Sequence, residues 1–489
     1  MSADSPLRAD ESGVFLKYLL LEGLNSGEIR YWRMRWRTDT VILLRQRLEE
    51  LLSDMLSALS TFGGLLGIEF DILGRSLLAS PLYPHRLIDL ALEAVLSEPL
   101  APELCIKLTP SSPHALSAAL PGAWNHAVIF ASPVFFTHEF YPLAVDACVH
   151  DYGHAGSLRT NVLGAHMDWL TKNGQLKRII YLDFSTGRLI ETNLTVPVQP
   201  DSVQFLCLGS QEQARHAVLS QRYNCVQVNP ASASRLADDK AATLATWSAL
   251  GLEVPAYQAI APEDLATALC FLDSFAEIVV KPNQATEGEH VAFFQRNDPQ
   301  AKTALKKHLE RCWEQGTAIA QQRRDGVFFR IPASETNHTL ALRLNLAFDG
   351  ERHCLESGYA QLGQDEHHPA ACGRGGHIVP IDEALSSLTY RGKPIRLASS
   401  DWIRIRTQAE QAAGLFEKLM LIGLDVLLEY DQFGNITPVF LESNPRPAGL
   451  SHSRLLADDP FMPAQIGVSL KLWACMNQVH PATLTPLLP

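Results

Sequence analysis

Two short apolar segments near the end of the chain alternate like β-strands, and an Asp-Gln-Phe-Gly turn joins them. They cover residues 424–429 and 440–447. Strand side chains alternate between the two faces of a sheet, so Glu442 and Asn444 share one face. Asp425 joins them when the two strands pair through the turn. The pattern therefore predicts a hairpin that groups two carboxylates and one amide.

This predicted group consists of hard oxygen donors. Neither Cys nor His accompanies Asp425, Glu442 and Asn444 in the two strands. Oxygen donors of this kind favour Mg²⁺ that also bridges substrate phosphates. We therefore expect these three residues to be metal ligands.

Earlier in the chain, the hydrophobic pattern predicts an α/β region that begins near residue 127. The predicted elements are a strand at 127–130, a hairpin at 178–190, a strand at 203–209, a helix from Gln211 and a strand at 225–228. A further helix is expected from Lys240, with Asp239 as its N-cap and Gly251 at its end. Farther on, a buried strand ends in Lys281 and Pro282, and another strand covers 317–322.

A stripe of alternating leucines predicts a long strand at 340–347. Its leucines face one side of the sheet, which places Arg343 and Asn345 on the opposite side. Asp349 and Gly350 are expected to close the hairpin that follows. Apolar residues at helical spacing then predict a helix at 407–420 that supports the strands carrying the metal ligands.

The beginning of the chain has a different pattern. Apolar positions at 39–59 and 86–96 are spaced as in helices, so we expect the first hundred or so residues to be mainly helical. No motif in this region indicates a chemical role.

Composition limits the functional classes. The chain has 489 residues, a length that suggests two or three domains. Its net charge of -12 disfavours general nucleic-acid binding. Its start lacks the basic and apolar segments of a secretory signal, and no apolar run is long enough for a membrane span. The nine cysteines are scattered without a Cys-x-x-Cys pair, which favours reduced thiols in the cytoplasm.

The motifs, taken in order, resemble the ATP-grasp superfamily over roughly residues 200 to 480. The resemblance implies an α/β fold in which a Rossmann-like leading domain precedes the ATP-binding part. It implies that Lys240 and Lys281 contact the phosphates of ATP. Asp425, Glu442 and Asn444 would hold two Mg²⁺ ions, for which Mn²⁺ can substitute.

The same resemblance implies further site residues and domain limits. The additional nucleotide-binding residues are Gly288 in a phosphate-covering loop and, near adenine, Gln321 and Gln322. Arg343 and Arg374 would act at the transferred phosphate, and Arg446, Ser453 and Arg454 would bind substrate. The expected domains are 1–115, a mainly helical region; 116–235, an α/β domain like those that precede the ATP-grasp domain; and 236–489, the ATP-grasp domain.

The expected activity is that of an ATP- and Mg²⁺-dependent carboxylate-amine ligase, which forms an amide through an acylphosphate and releases ADP and phosphate. Its partners would be a small-molecule carboxylate and an amine, with amino acids or peptides as the first choice, and a homodimer is compatible with the resemblance. The Ser-His-Ser sequence at 451–453 looks like that of D-alanyl-D-alanine ligases and amino-acid ligases. By contrast, the Pro-Arg-Pro sequence at 445–447 is similar to ATP-grasp enzymes of the purine pathway, which implies a carboxylating or formylating enzyme as the alternative. The single glycine in the phosphate loop leaves a nucleotide-binding regulator without turnover as a further alternative.

Overall fold

The computed structural model describes most of the chain after residue 110, and before it the backbone of short strands. The described segments are 15–19, 68–72, 75–79, 103–107, 109–120, 124–130, 140, 160–183, 188–207, 210–284, 290–324, 326–330, 336–348, 351–370, 377–416 and 418–445. Within them, no helix is both long and apolar enough to cross a membrane.

Helices and strands alternate along the described chain, which confirms the expected α/β class. The helices are α1 (Leu116–Ala119), α2 (Ser210–Ser220), α3 (Ala231–Asp238), α4 (Lys240–Ala249), α5 (Leu265–Ser274), α6 (Ala301–Trp313), α7 (Ile381–Ser386) and α8 (Ser399–Gly414), with a 3₁₀ turn at Met167–Trp169.

The strands belong to several separate sheets. They are β1 (Phe15–Leu19), β2 (Ile68–Ile72), β3 (Arg75–Ala79), β4 (Glu103–Lys107), β5 (Thr109–Pro110), β6 (Trp124–Phe130), β7 (Thr160–His166), β8 (Leu176–Asp183), β9 (Arg188–Val198), β10 (Ser202–Leu206), β11 (Val226–Val228), β12 (Tyr257–Ile260), β13 (Glu277–Pro282), β14 (Ala292–Gln295), β15 (Ala318–Gln322), β16 (Phe328–Arg330), β17 (Asn337–Phe348), β18 (His353–Leu362), β19 (His377–Pro380), β20 (Leu388–Tyr390), β21 (Lys393–Pro394), β22 (Leu421–Tyr430) and β23 (Ile436–Asn444).

The described strands of the first 110 residues form a small sheet of order β1-β4-β2-β3, and β5 joins the next sheet. The helices expected at 39–59 and 86–96 lie outside the described residues, so the mainly helical character of region 1–115 stays a prediction.

The leading sheet has the order β11-β10-β6-β7-β8-β9-β5. Strands β11, β10, β6 and β7 run parallel, and helix α2 connects β10 to β11, which confirms the predicted strand-helix-strand run. The predicted hairpin at 178–190 is also confirmed, because β8 and β9 pair antiparallel. Buried side chains such as Ile129, Leu163 and Phe205 form the core on one face.

A second, smaller antiparallel sheet has the order β12-β15-β13-β14. Apolar residues of β13, among them Ile278 and Val280, pack with Leu305 and Leu309 of α6 in a core of their own. Strand β13 ends at Lys281 and Pro282 as predicted, which places this lysine at the rim of the sheet.

The largest sheet contains the strand with the leucine stripe. Leu342, Leu344 and Leu346 of β17 are fully buried in the largest core cluster. Strand β17 pairs with β22, which pairs with β23. Trp247 of α4 belongs to the same core, where its indole Nε1 donates to the carbonyl of Ala412, 3.1 Å away. Helix α4 therefore packs against the sheet that carries the predicted metal ligands.

The helix predicted at 407–420 has different limits in the structure. It begins at Ser399, where the carboxylate of Asp401 accepts from the backbone N–H of Ala398 at 3.2 Å, and it ends at Gly414. Phe416 and Leu419 continue the apolar spacing in single turns that lead into β22. The spacing was therefore misread as helix because buried turns maintain it. The predicted role in supporting the sheet is confirmed by the core contacts of α8.

Candidate active site

The hairpin of β22 and β23 brings the three predicted metal ligands together. Asp425 lies directly opposite Glu442, and the amide Nδ2 of Asn444 donates to Asp425 Oδ2 at 3.2 Å. The carboxylate of Asp431 accepts from the backbone N–H groups of Phe433 at 2.8 Å and Asn435 at 2.9 Å, which fixes the turn and hence the register. The predicted hairpin is thus confirmed.

Arg343 reaches the same site from the neighbouring strand β17. It is the cross-strand partner of Asp425, and its Nη2 and Nε donate to Asp425 Oδ2 and Oδ1 at 3.0 and 2.5 Å. Burial would lower the pKa of the guanidinium, but the charge of Asp425 raises that pKa above its ordinary value. Burial raises the pKa of the Asp425 carboxyl above its ordinary value, against the opposing charge of Arg343. The two-pronged contact holds this carboxyl group in a fixed orientation.

Lys281 contacts the second carboxylate. Its ammonium Nζ lies 2.7 Å from Glu442 Oε2, across the gap between β13 and β23. Burial alone would raise the pKa of the Glu442 carboxyl, but the charges of Lys281 and Lys240 outweigh it and lower that pKa to about 2. Glu442 is therefore ionised at neutral pH.

Lys240 is the first residue of α4. The Asp239 carboxylate accepts from the N–H of Ala242 at 2.9 Å, which confirms the predicted N-cap. The Lys240 side chain is buried, and burial lowers the pKa of its ammonium against the opposing charge of Glu442. Cationic and anionic groups from α4, β13, β17, β22 and β23 thus meet in one place.

The two glutamines expected near adenine lie at the end of β15. Gln321 is buried, and its Nε2 donates to the carbonyl of Leu441 at 3.5 Å, next to Glu442 along the chain. The backbone N–H of Gln322 donates to the carbonyl of Ala256 at 2.7 Å. The structure therefore places Gln321 beside the site, and their roles toward adenine stay predictions.

Several predicted site residues lie outside the described residues. They are Gly288, Arg374, Arg446, Ser453 and Arg454. The turn formed by Asp349 and Gly350 lies outside them too, although the strands that it connects, β17 and β18, pair antiparallel as predicted. The roles of these residues stay predictions.

Sequence reasoning missed residues that hold the site in shape. Asn283 bonds to three consecutive residues at the start of α4. Asn229 bonds to Leu421, the first residue of β22, and to Pro445, directly after β23, at the open end of the hairpin that carries the predicted metal ligands, called here the ligand hairpin. Gly423 lies opposite Asn345 and Asn444, where a Cβ atom would approach Arg343 Cδ to 3.0 Å. Only Gly423 carried a signal, because a glycine two positions before Asp425 in a strand indicates a close approach.

The donor set fits a hard divalent cation. Among the described residues, no group of three or more His, Cys, Asp or Glu side chains could hold a metal. The carboxylates of Asp425 and Glu442 with the Asn444 amide supply three oxygen-bearing side chains, which matches Mg²⁺ that takes its other ligands from phosphates and water. Softer metals prefer Cys or His ligands, and this group of residues contains neither.

Comparison with known proteins finds similarity at the level of solved structures. No family model and no curated protein matches the chain. It is similar to D-alanyl-alanine synthetase A from Vibrio cholerae, with 12% identity, a TM-score of 0.46, and coverage of 73% of this chain and 100% of that one. A D-Ala:D-Ser ligase from Enterococcus faecalis follows with 15% identity, a TM-score of 0.45 and coverage of 72% and 98%.

A third similar structure is an ATP-grasp ligase complexed with a minimal precursor. It shares 14% identity with a TM-score of 0.42, and the alignment covers 72% of this chain and all of that one.

Proposed function

We propose that the protein is an ATP- and Mg²⁺-dependent carboxylate-amine ligase. The observation that carries this proposal is the convergence of Lys240, Lys281 and Arg343 on the carboxylates Asp425 and Glu442. Adjacent cations suit a polyphosphate, and adjacent oxygen donors suit the metal that accompanies it. A group-transfer site for ATP requires both.

The cations have separate tasks in this proposal. Lys240 and Lys281 bind phosphate oxygens of ATP as point charges. Arg343, and with it Arg374, offers fixed N–H donors to the oxygens of the γ-phosphoryl group as it moves. Because Asp425 holds Arg343 through two contacts, the guanidinium lies next to the proposed metal ligands before ATP binds.

Asp425, Glu442 and Asn444 hold the metal. When bound, Mg²⁺ neutralises the charge that develops on the phosphate oxygens. Lys281 lies within hydrogen-bonding distance of the Glu442 carboxylate, so the lysine that binds phosphate and the carboxylate that binds metal are brought to the same point.

The reaction proceeds in two displacements. A carboxylate oxygen of the first substrate attacks the γ-phosphorus, the bond to the bridging oxygen of ADP breaks, and an acylphosphate forms. The amine nitrogen of the second substrate then attacks the acyl carbon, inorganic phosphate leaves, and the nitrogen loses a proton to give the amide. No nucleophilic side chain is required. An amino acid or peptide is the first candidate for the substrates.

The test measures release of ADP from purified protein with ATP and Mg²⁺ against pooled amino acids and small carboxylic acids, with mass detection of products. We expect ADP to appear with one carboxylate-amine pair, together with a product lighter than their sum by one water. Glu442→Gln should lower the rate by about two orders of magnitude or more, because the metal loses a charged ligand.

Glu429→Gln is the matched control. Glu429 lies on the same strand as Asp425, but its carboxylate pairs with Arg324 at 2.6 Å, away from the site. This variant should retain the wild-type rate, and thermal unfolding verifies that both variants fold. Carboxylation or formylation products would favour the purine-pathway alternative. If wild type and Glu442→Gln both bind ATP but release no ADP with any member of the panel, the ligase proposal is overturned. That result would favour a nucleotide-binding regulator.

A further inference from the structure

We infer that Asn283 is a positioning residue. It sets the spacing between Lys240 and Lys281 and thereby the affinity of the protein for the phosphates of ATP. This inference rests on the proposed function, because it assumes that both lysines bind ATP. Asn283 itself is buried, 6% exposed, and its side chain is occupied by contacts within the protein.

The hydrogen bonds of Asn283 connect it to three consecutive residues around the start of α4. Its Oδ1 accepts from the backbone N–H of Ala241 at 2.9 Å, and its Nδ2 donates to Asp239 Oδ1 at 2.9 Å. Its carbonyl accepts from the backbone N–H of Lys240 at 3.3 Å. One asparagine thus holds the residue before Lys240, Lys240 itself and the residue after it.

Asn283 is equally fixed on its other side. It follows Lys281 by two residues, immediately after the end of β13. Its backbone N–H donates to the carbonyl of Thr317 at 2.8 Å, directly before β15. The residue therefore belongs to the small sheet while its side chain belongs to the helix start.

The two lysines need such a connection because they belong to different cores. Lys240 starts α4, whose Leu244 and Trp247 pack in the core of the large sheet. Lys281 ends β13, whose Ile278 and Val280 pack in the separate core of the small sheet. Ile319 of β15 also packs in the core of the large sheet, so apolar contacts join the two sheets. Apolar packing is not directional, whereas the hydrogen bonds of Asn283 define the position of the helix start relative to the strand end.

The two lysines also repel each other. The charge of Lys281 acts to lower the pKa of the Lys240 ammonium, in addition to the effect of burial. Glu442 attracts the Lys240 ammonium more strongly than Lys281 repels it, and it also contacts Lys281. The bonds of Asn283 fix the helix start against the strand end in the presence of these opposing charges, so the phosphate-binding geometry exists before ATP arrives, which reduces the ordering cost of binding.

The experiment is a double-mutant cycle on the affinity for ATP in the presence of Mg²⁺. Calorimetry gives the Kd of wild type, Asn283→Ala, Lys240→Met and the double variant. We expect Asn283→Ala to weaken binding about tenfold. In the Lys240→Met background the same substitution should change the Kd less than about threefold, because its effect passes through the missing ammonium.

Urea unfolding separates positioning from general stability. Asn283→Ala should destabilise the protein equally in both backgrounds, whereas its effect on the Kd should depend on Lys240. Asp264→Ala is the matched control, since Asp264 caps α5 by accepting from Thr267 N–H at 3.1 Å and takes no part in the site. It should lower stability and leave the Kd unchanged.

Each outcome decides between the two hypotheses. If wild type binds no ATP, the proposed function fails and the inference falls with it. If wild type binds ATP and Asn283→Ala binds equally well, or loses the same factor with and without Lys240, only the inference is overturned. Should Asn283→Ala fail to fold, Asn283→Gln takes its place, because it keeps an uncharged amide and displaces the hydrogen bonds to Asp239 and Ala241 by one methylene group.

Discussion

The Lys281 ammonium and the Glu442 carboxylate form an ion pair across two sheets, with Nζ and Oε2 separated by 2.7 Å. Arg343 and Asp425 form a second pair beside it. Each pair joins a group proposed to bind phosphate to a group proposed to bind metal. Asp425 and Glu442 are therefore paired with the protein's own cations. Under the proposed function, the phosphates of ATP would compete with these two carboxylates for Arg343 and Lys281.

This arrangement predicts that metal binding depends on nucleotide. In wild type without ATP, Mn²⁺ should bind weakly, and addition of a non-hydrolysable ATP analogue should strengthen its binding. Lys281→Met should strengthen nucleotide-free Mn²⁺ binding by about tenfold or more, because it removes a positive charge next to the ligand. Electron paramagnetic resonance of free Mn²⁺ measures both quantities.

Lys302→Met is a suitable comparison, since Lys302 pairs with Asp273 on an exposed surface at 3.1 Å. It should leave Mn²⁺ binding unchanged. Tight Mn²⁺ binding to nucleotide-free wild type, or no gain in Lys281→Met, would show that the ion pair does not hold back the metal.

The Arg343–Asp425 pair predicts sensitivity to a conservative substitution. Arg343→Lys retains the charge but loses one of the two fixed donors, so Asp425 and the phosphoryl group lose their shared orientation. We expect the rate of ADP formation to fall on the order of a hundredfold, with a small change in the Kd for ATP. Steady-state kinetics and calorimetry measure these two effects.

Arg324→Lys provides the counterpart. Arg324 makes a similar two-pronged pair with Glu429, and both contacts measure 2.6 Å. Glu429 lies on β22 like Asp425, but outside the site. It should alter stability and spare the rate. Equal losses of rate in both variants would assign Arg343 a structural role only.

The hydrogen bonds of Asn229 at the open end of the ligand hairpin predict that removing its side chain strongly lowers stability. Its Nδ2 donates to the carbonyls of Leu421, at 2.6 Å, and Pro445, and its Oδ1 accepts from the N–H groups of Met420 at 2.8 Å and Leu421 at 3.2 Å. Asn229→Ala leaves these buried backbone groups without partners, which should lower the free energy of unfolding by about 3 kcal/mol.

Hydrogen exchange locates this effect. The amides of Met420 and Leu421 should exchange faster in Asn229→Ala than in wild type. Asn224 lies at an exposed position shortly before β11, and in Asn224→Ala the same two amides should exchange as in wild type. Unchanged exchange at both amides would contradict the proposed anchoring of the hairpin.

His126 predicts a loss of stability in acid. Its ring is buried in β6, with Nδ1 2.8 Å from Ser202 Oγ, and burial lowers its pKa from 6.5 to about 4. Because the folded state disfavours the charged ring, this contribution to stability is complete above pH 6.5 and decreases as the pH falls toward 4. Over that interval the folded state should lose about 3 kcal/mol relative to the unfolded chain.

Urea unfolding of wild type and His126→Gln between pH 8 and pH 4.5 checks this prediction. The free energy of unfolding of wild type should fall more steeply with decreasing pH than that of the variant. Parallel curves for the two proteins would mean that His126 titrates at the same pH in the folded and unfolded states.

Short-range patterns were sufficient to predict the local elements of the site. The two-residue period of strands placed Glu442 and Asn444 on one face, and the turn at Asp431 brought Asp425 to them. The leucine stripe of β17 placed Arg343 on the opposite face of its strand, and Asp239 marked the start of α4. These features depend on neighbours in the chain, so the sequence by itself determined them.

Only the tertiary structure decided which of these groups meet. Lys281 and Glu442 are separated by 161 residues, Arg343 and Asp425 by 82, and Asn229 and Leu421 by 192. Period and capping specify the direction of a side chain within its own element, and they carry no information on which other element lies opposite. The ion pairs, the bridge made by Asn283 and the true end of α8 at Gly414 follow instead from packing between elements, where buried polar groups bond to whatever partner the assembled cores bring within reach.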